Sequence, residues 1–250
     1  MSRGHSLRLA TVAALSAWSG VTGLAQGQAP DAAKKPKWES TAGAGLTISR
    51  GNSDAITGTG NILAQRKWEH SELRLGADVT YGENDGVKSA ETYHAFGQFN
   101  WLFSERAYGY TRADGLHDDI ADVQYRVTLS PGAGYYFIKN AKTRLSAEVG
   151  PGVVFERQGA RETAYFTLRV AERFELKFSD KTRLWESAEW LPQVDDFNNS
   201  IINGELGLET QLTARFSLRL FAQDTYDNEP APGRKKNDVK LVTQLAYKFF

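Results

Sequence analysis

The residues best equipped for electrostatic or acid–base chemistry in this chain recur at even spacings inside short alternating segments. Arg74 and Asp78 share one parity of such a segment, as do Arg169 and Arg173, Glu205 and Glu209, and Glu148 and Glu156. Arg112, Arg126, Glu189, Arg219 and Lys240 fall on the equivalent parity of their own segments. Side chains two residues apart lie on one face of an extended strand, so each segment has a charged face opposite an apolar one. Charges removed from bulk water must pair or stay hydrated. Two arrangements satisfy that condition. In one, Arg and Glu cross-link the wall of a narrow interior and largely fill it. In the other, acidic and basic ladders line a pore that passes small polar solutes. Neither sign dominates the set, which predicts no strong ion selectivity.

Catalytic constellations are sparse. The histidines are His5, His70, His94 and His117. An outer-leaflet lipid-modifying enzyme needs a Ser–His pair near the outer rim, yet His94 falls on the charged parity, away from where lipid would lie. The segment His117-Asp118-Asp119 with Asp122, and the runs Asp195-Asp196-Phe197-Asn198-Asn199 and Glu83-Asn84-Asp85-Gly86, offer oxygen ligands of the kind hard cations take. Their simplest reading is as solvated acidic loops. Such loops could also share divalent cations with lipopolysaccharide phosphates. With no cysteine, thiol catalysis, zinc–thiolate sites and disulfides are excluded. No EF-hand spacing, phosphate-binding glycine loop or HExxH is present. Gly58, Gly60, Gly132, Gly134, Gly150 and Gly152 read as strand glycines that allow curvature or close packing of large interior side chains. No catalytic residue, cofactor or metal site is expected.

The elements that must position the charged face are strands. Leu73, Leu75, Ala77, Val79 and Tyr81 alternate with Glu72, Arg74, Gly76, Asp78 and Thr80, the period-two signature of a strand. Twelve such segments can be drawn, beginning at Trp38–Ser49 and Ala55–Trp68 and ending at Val239–Phe249. A soluble sandwich turns its apolar face inward, whereas a membrane barrel turns it to lipid and its polar face to a lumen. The pattern predicts an all-β, antiparallel, up-and-down transmembrane β-barrel of about twelve strands spanning residues 38–250. Connections alternate, with short turns at Glu69–Ser71, Ser104–Glu105, Ile138–Thr143, Ser179–Lys181 and Thr213–Arg215. The expected longer loops are Gly82–Ala90, Gly115–Asp122, Gln158–Glu162, Pro192–Ser200 and Tyr226–Asp238. That alternation places both termini on the periplasmic side. Two strands are ambiguous. In Arg106–Asp114, turning Tyr108, Tyr110 and Arg112 inward leaves small residues facing lipid. In Thr182–Leu191, Glu186 shares a parity with Leu184 and Trp190, which suggests a bulge or the opposite facing.

The N-terminus has a positive start (Arg3, Arg8), a small-residue apolar run from Leu9 to Val21, and Gly23-Leu24-Ala25 as a cleavage signal. Residues 1–25 therefore read as a secretory signal peptide and residues 26–37 as a flexible periplasmic linker. The formal net charge is zero, which gives no strong attraction to nucleic acid. Aromatic residues cluster near strand ends, as at membrane interfaces. Trp38, Trp68, Trp101, Phe103, Phe137 and Phe178 are expected on the periplasmic side and Tyr81, Tyr93 and Phe155 on the other. Tyr247, Phe249 and Phe250 close the chain and are similar to the C-terminal signal read by barrel-assembly machinery. The expected partners are that machinery and the lipid and lipopolysaccharide of the outer membrane, with the protein a monomer.

The stretch Gly43-Ala44-Gly45-Leu46-Thr47-Ile48-Ser49-Arg50-Gly51-Asn52-Ser53-Asp54 resembles the opening motif of an uncharacterised outer-membrane family, domain of unknown function 481, often labelled salt-induced outer-membrane protein. Arg112-Ala113-Asp114-Gly115, Tyr125-Arg126 and Gly132-Ala133-Gly134-Tyr135 are similar as well. The resemblance covers about Trp38 to Phe250. It implies an outer-membrane β-barrel of unestablished activity, with a link to envelope or salt stress, and brings no catalytic residues.

Overall fold

The computed structural model describes residues 38–49 and 55–249. They form β1 (Trp38–Ser49), β2 (Ala55–Lys67), β3 (Ser71–Asn84), β4 (Val87–Leu102), β5 (Ala107–Asp118) and β6 (Val123–Lys139), followed by β7 (Thr143–Gln158), β8 (Arg161–Lys177), β9 (Thr182–Pro192), β10 (Ser200–Gln211), β11 (Phe216–Asp227) and β12 (Asn237–Lys248). Each strand pairs antiparallel with its sequence neighbours, and β1 closes on β12 through Thr41↔Lys248 to Ala44↔Leu245. The result is a closed twelve-stranded barrel with no free edge. The expected signal peptide, linker, Arg50–Asp54 turn and Phe250 lie outside the described residues.

Alternation sets which side each residue faces, and the barrel is inside-out relative to a soluble sheet protein. On β12, Leu241 is 75 % exposed on the outer wall while Ala246, on the opposite parity, is 1 % exposed. The outer wall carries Leu46, Ile62, Leu75, Val127, Val149, Phe166, Leu206 and Leu218, all exposed. The apolar core among the described residues is one small cluster, Trp185, Phe221 and Val242, on the inner wall. In water such a surface would be an aggregation liability; against lipid it is the required one.

Trp38 and Phe249, the first and last described residues, lie at one end, called here the terminal end, and its turns share a local device. Ser104, Asn140, Ser179 and Thr213 each accept, through a side-chain oxygen, the backbone N–H groups two and three residues on. These Ser, Thr and Asn turns satisfy backbone donors that the ladder leaves open. Aromatic rings cluster at this end. The Arg66 guanidinium lies 5.7 Å from the Trp38 ring and 5.0 Å from that of Trp68. Tyr247 packs edge-on against Phe216 and Phe249, with centroids 5.1 Å apart in each case, and the Phe249 N–H donates to the Ser40 carbonyl at 3.0 Å.

At the opposite, loop end the sequence expectation needs correction. Among the described residues, only 193–199 and 228–236 are long connections there. The loop expected at Gly82–Ala90 is a two-residue hairpin at Asp85-Gly86, both with positive φ (49° and 74°). This is the backbone a type I′ turn requires, and Asp-Gly is its sequence signal. The strands around 119–122 and 159–160 likewise run on as paired hairpins, because continued ladder bonds satisfy the backbone better than open loops.

The two ambiguous strands resolve. In β5, Tyr108, Tyr110 and Arg112 face inward and Ala107, Gly109, Thr111 and Ala113 outward, the facing chosen from charge. In β9 the ladder runs without a bulge on both sides. Arg183, Trp185, Ser187 and Glu189 face inward, and Glu186 does face outward with Leu184 and Trp190. It lies diagonal to Glu172 of β8, so two acidic side chains are neighbours on the outer wall there.

Candidate functional site

The inward parity of all twelve strands encloses one cavity of about 730 Å³. Its lining runs from Arg215 and Lys248 at the terminal end to Pro230 and Lys236 at the loop end. Of the charged residues selected from sequence, Arg74, Asp78, Arg112, Arg126, Glu148, Arg169, Arg173, Glu189, Glu205, Glu209, Arg219 and Lys240 all line it. Glu156 sits behind Arg126, bonded to it, rather than on the cavity surface.

Near the loop end, Arg126 donates from Nε to Glu156 at 2.6 Å and reaches Asp227 at 2.8 Å, so one guanidinium ties β6 to β7 and, across the lumen, to β11. Gln158 also donates to Asp227 at 3.3 Å. Lys240 of β12 crosses to the Thr92 hydroxyl of β4 at 3.0 Å. At mid-height Arg169 bridges Glu148 at 2.7 Å and Glu189 at 2.5 Å. Glu148 also accepts from Gln98 at 2.7 Å and from the Tyr108 hydroxyl at 2.9 Å. Arg112 forks onto Asp114 and lies 4.4 Å from the Phe96 ring. Toward the terminal end, Glu209 collects Arg183 at 2.6 Å, Arg219 at 3.3 Å and the Ser217 hydroxyl at 2.6 Å. Arg173 pairs with Glu175 at 2.9 Å. Glu205 accepts from the Trp185 indole at 2.5 Å and from Gln223 at 2.9 Å. These are charge-assisted bonds, the stronger kind; Arg112–Asp114 and Arg173–Glu175 join residues two apart on one strand, and the others gather residues of neighbouring or opposed strands that sequence spacing alone does not connect.

Large lumen aromatics lie flat on the wall over glycines of the next strand. Tyr108 of β5 covers Gly134 of β6, and Trp185 of β9 covers Gly207 of β10; a Cβ at either glycine would meet the ring. This explains Gly132 and Gly134 as expected from sequence. Gly58 and Gly60 do not fit that account: they face outward, Gly58 in open space and Gly60 against Val79 alone.

Several lumen residues were missed from sequence. Asp114, Glu175 and Arg144 carry the same parity signal as the chosen residues and could have been found. Asp227 lay beyond the drawn end of its strand, and Arg183 was hidden by the uncertain facing of β9. Gln98 is neutral and gives no charge signal, and Tyr108, faced inward with Arg112 from sequence, carries no charge to mark it as a partner of Glu148.

Among the described residues no histidine forms the Ser–His pair a lipid hydrolase would need. His94 lies in the lumen, 2.8 Å from Asp78 and 3.5 Å from Asp114. His117 bonds the Gln124 carbonyl at 2.8 Å and stacks on Tyr93. His70, in a terminal-end turn, approaches Glu69. The acidic loop residues are engaged internally: Asp118 accepts from the Ala121 N–H and the Thr92 hydroxyl, and Asp119 from Lys88. Among the described residues no group of three or more His, Asp and Glu side chains is arranged to hold a metal ion.

A closed barrel with an apolar outer wall and a charged, ion-paired lumen is a transmembrane β-barrel. Its sequence matches, over residues 42–249, the family described as "Protein of unknown function, DUF481", and the chain belongs to that family. A relative, "Uncharacterized protein YdiY" of Escherichia coli (strain K12), is 22 % identical over 224 residues, covering 87 % of this chain and 85 % of that protein. Among solved structures, the chain is similar to the KdgM porin (7 % identity, TM-score 0.47, covering 86 % of this chain and 100 % of that one). It is also similar to the NanC porin (7 % identity, TM-score 0.49, covering 84 % and 96 %).

Proposed function

We propose that this protein is an outer-membrane barrel acting as a narrow channel for small polar solutes, with the terminal end in the periplasm and the loop end outside. The supporting observation is the continuity of the lumen: one cavity is bordered by Lys248 and Arg215 at one mouth and by Lys236 and Pro230 at the other. The apolar belt supports the membrane setting. The short Ser/Thr/Asn turns on the side of the termini support the orientation. Cross-lumen ties such as Arg126–Asp227 and Lys240–Thr92 narrow the bore, so unitary conductance is expected well below that of open sixteen-stranded porins. In this setting Tyr247 and Phe249 would serve barrel assembly, and the outer loops would meet lipopolysaccharide.

The test is planar-bilayer recording with refolded protein whose folding is verified by heat-modifiable gel mobility. Small discrete steps support the channel. Silence from folded protein overturns it and favours the structural reading, in which the same side chains staple a plugged wall.

A further inference from the structure

The basic residues near the terminal end of the lumen are not all matched alike. Arg126, Arg169, Arg183 and Arg219 each sit on one or two carboxylates. Arg74 of β3 and Arg144 of β7 have no carboxylate within ion-pairing distance among the described residues, and neither does Lys67 of β2. Arg74, Arg144 and Arg173 line the same lumen cavity; the Tyr136 hydroxyl feels both Arg74 and Arg144, and the charged groups acting on Arg74 are two further guanidinium groups, Arg173 of β8 and Arg112 of β5, together with Glu175 and Glu148. Those carboxylates are already committed: Glu175 to Arg173, and Glu148 to Arg169, Tyr108 and Gln98. Arg144 is an electrostatic neighbour of Lys67, with Glu72, Glu39 and Glu175 the acids around that lysine. Glu72 is near the Tyr136 hydroxyl at 3.4 Å and Glu39 accepts from Gln65 at 2.5 Å.

Guanidinium groups converging from several strands on one confined space repel each other. That cost falls when an anion lies between them, and the planar guanidinium fork matches phosphate and carboxylate geometry. We propose that the space framed by Arg74, Arg144 and Arg173 is a binding site for a small oxyanion, either the phosphate or the carboxylate group of a solute. The proposal deepens the channel reading and rests on it for access: Asp78, Asp227 and Asp238 outnumber Lys235 and Lys236 toward the loop mouth, whereas Arg215 and Lys248 stand at the terminal mouth, so the terminal mouth is the favoured entry for an anion.

Binding is measured by isothermal titration of the detergent-folded mature barrel at fixed ionic strength, with pyrophosphate and citrate as separate probes and chloride as the balancing salt. The expected result is one site per barrel, weakened about tenfold by Arg74→Gln and also weakened by Arg144→Gln. Arg157→Gln, on the exposed outer face of β7, should leave it unchanged. Binding of only one probe supports the site and identifies its ligand as phosphate or carboxylate. No saturable binding by folded wild type, or equal binding by wild type and both lumen variants, overturns the proposal. Conductance recorded on the same preparations separates the two readings: binding without conductance sinks the channel and leaves the site standing, and conductance without binding does the reverse.

Discussion

The two halves of the lumen are built from the same residue classes to opposite effect. Toward the loop end the inner wall collects Asp78, Asp114, Asp118, Glu156, Glu189, Asp227 and Asp238 against Arg126, Arg169, Lys240 and, at the mouth, Lys235 and Lys236. Toward the terminal end it collects Lys67, Arg74, Arg112, Arg144, Arg173, Arg183 and Arg219 against Glu39, Glu72, Glu148, Glu175, Glu205 and Glu209. The loop half has surplus acid, and its two guanidinium groups, Arg126 and Arg169, each sit on a pair of carboxylates. The terminal half has surplus base and leaves some of it unpaired. A chain of zero formal charge therefore carries a charge gradient along its axis. The sequence expectation of no strong selectivity came from the sum of the charges. A narrow polar passage responds to their distribution.

The largest effect should come from breaking the loop-half staple. Arg126→Ala leaves Glu156 and Asp227 without their shared cation in a site where the Arg126 side chain is 9 % exposed. Orphaning a buried carboxylate costs about 3–5 kcal/mol, read as a lowered guanidinium midpoint in refolding titrations. Arg144→Gln, which removes an unpaired cation from the terminal half, should shift stability by less than about 0.5 kcal/mol. Equal losses in the two variants would erase the distinction between a stapled half and a hydrated one.

A second prediction concerns the gradient itself and depends on the channel conducting. When the loop side is positive, cations enter through the acidic half while anions enter through the basic half, and both accumulate where the halves meet. Reversing the potential drains that region. Current should therefore be larger with the loop side positive, by about twofold at low salt, and the asymmetry should fade as screening shortens the reach of fixed charge. Asp238→Asn and Arg74→Gln each flatten the gradient from one end and should each reduce the asymmetry. A symmetric current at low ionic strength would show that the ion pairs cancel the gradient locally.

Much of this fold was legible in the chain because period-two alternation is a backbone property independent of partners. Trp38–Ser49 was bounded to the residue, and β5 was faced correctly from Arg112 alone. Parity names the face of a side chain, yet not the strand it lies over or the residue it meets across a lumen. Arg126 reaching Asp227, or Tyr108 lying on Gly134, depends on register and barrel diameter, which one strand's pattern does not contain. The outer turns were misjudged for a different reason. Polar residues at Gly82–Ala90 read as loop, although polar strands continue past the membrane wherever hairpin pairing is satisfied, and Asp85-Gly86 marks the true turn. The charge gradient was within reach of the sequence, since strand ends fix approximate height, but it required sorting the inner residues by height as well as by face.

The smallest effect lies at the loop rim, where acidic character continues outside the lumen. Lys88 is bonded to Glu91 and lies 3.0 Å from Asp119, and that ammonium holds the Asp119 carboxyl below its ordinary value, first through the hydrogen bond and then through its charge. A depressed folded-state value contributes stability above the unfolded carboxylate value of about 3.9, and loses it as pH falls through the lower folded one. The contribution is small because the pair is solvent-exposed. NMR titration of the Asp119 carboxyl should give a midpoint below the ordinary aspartate value at low salt, returning toward it in high salt and in Lys88→Gln. If Lys88→Gln leaves the midpoint where it was, the rim is governed by the summed field of the acidic half rather than by this one contact, and the gradient extends further outward than the lumen wall.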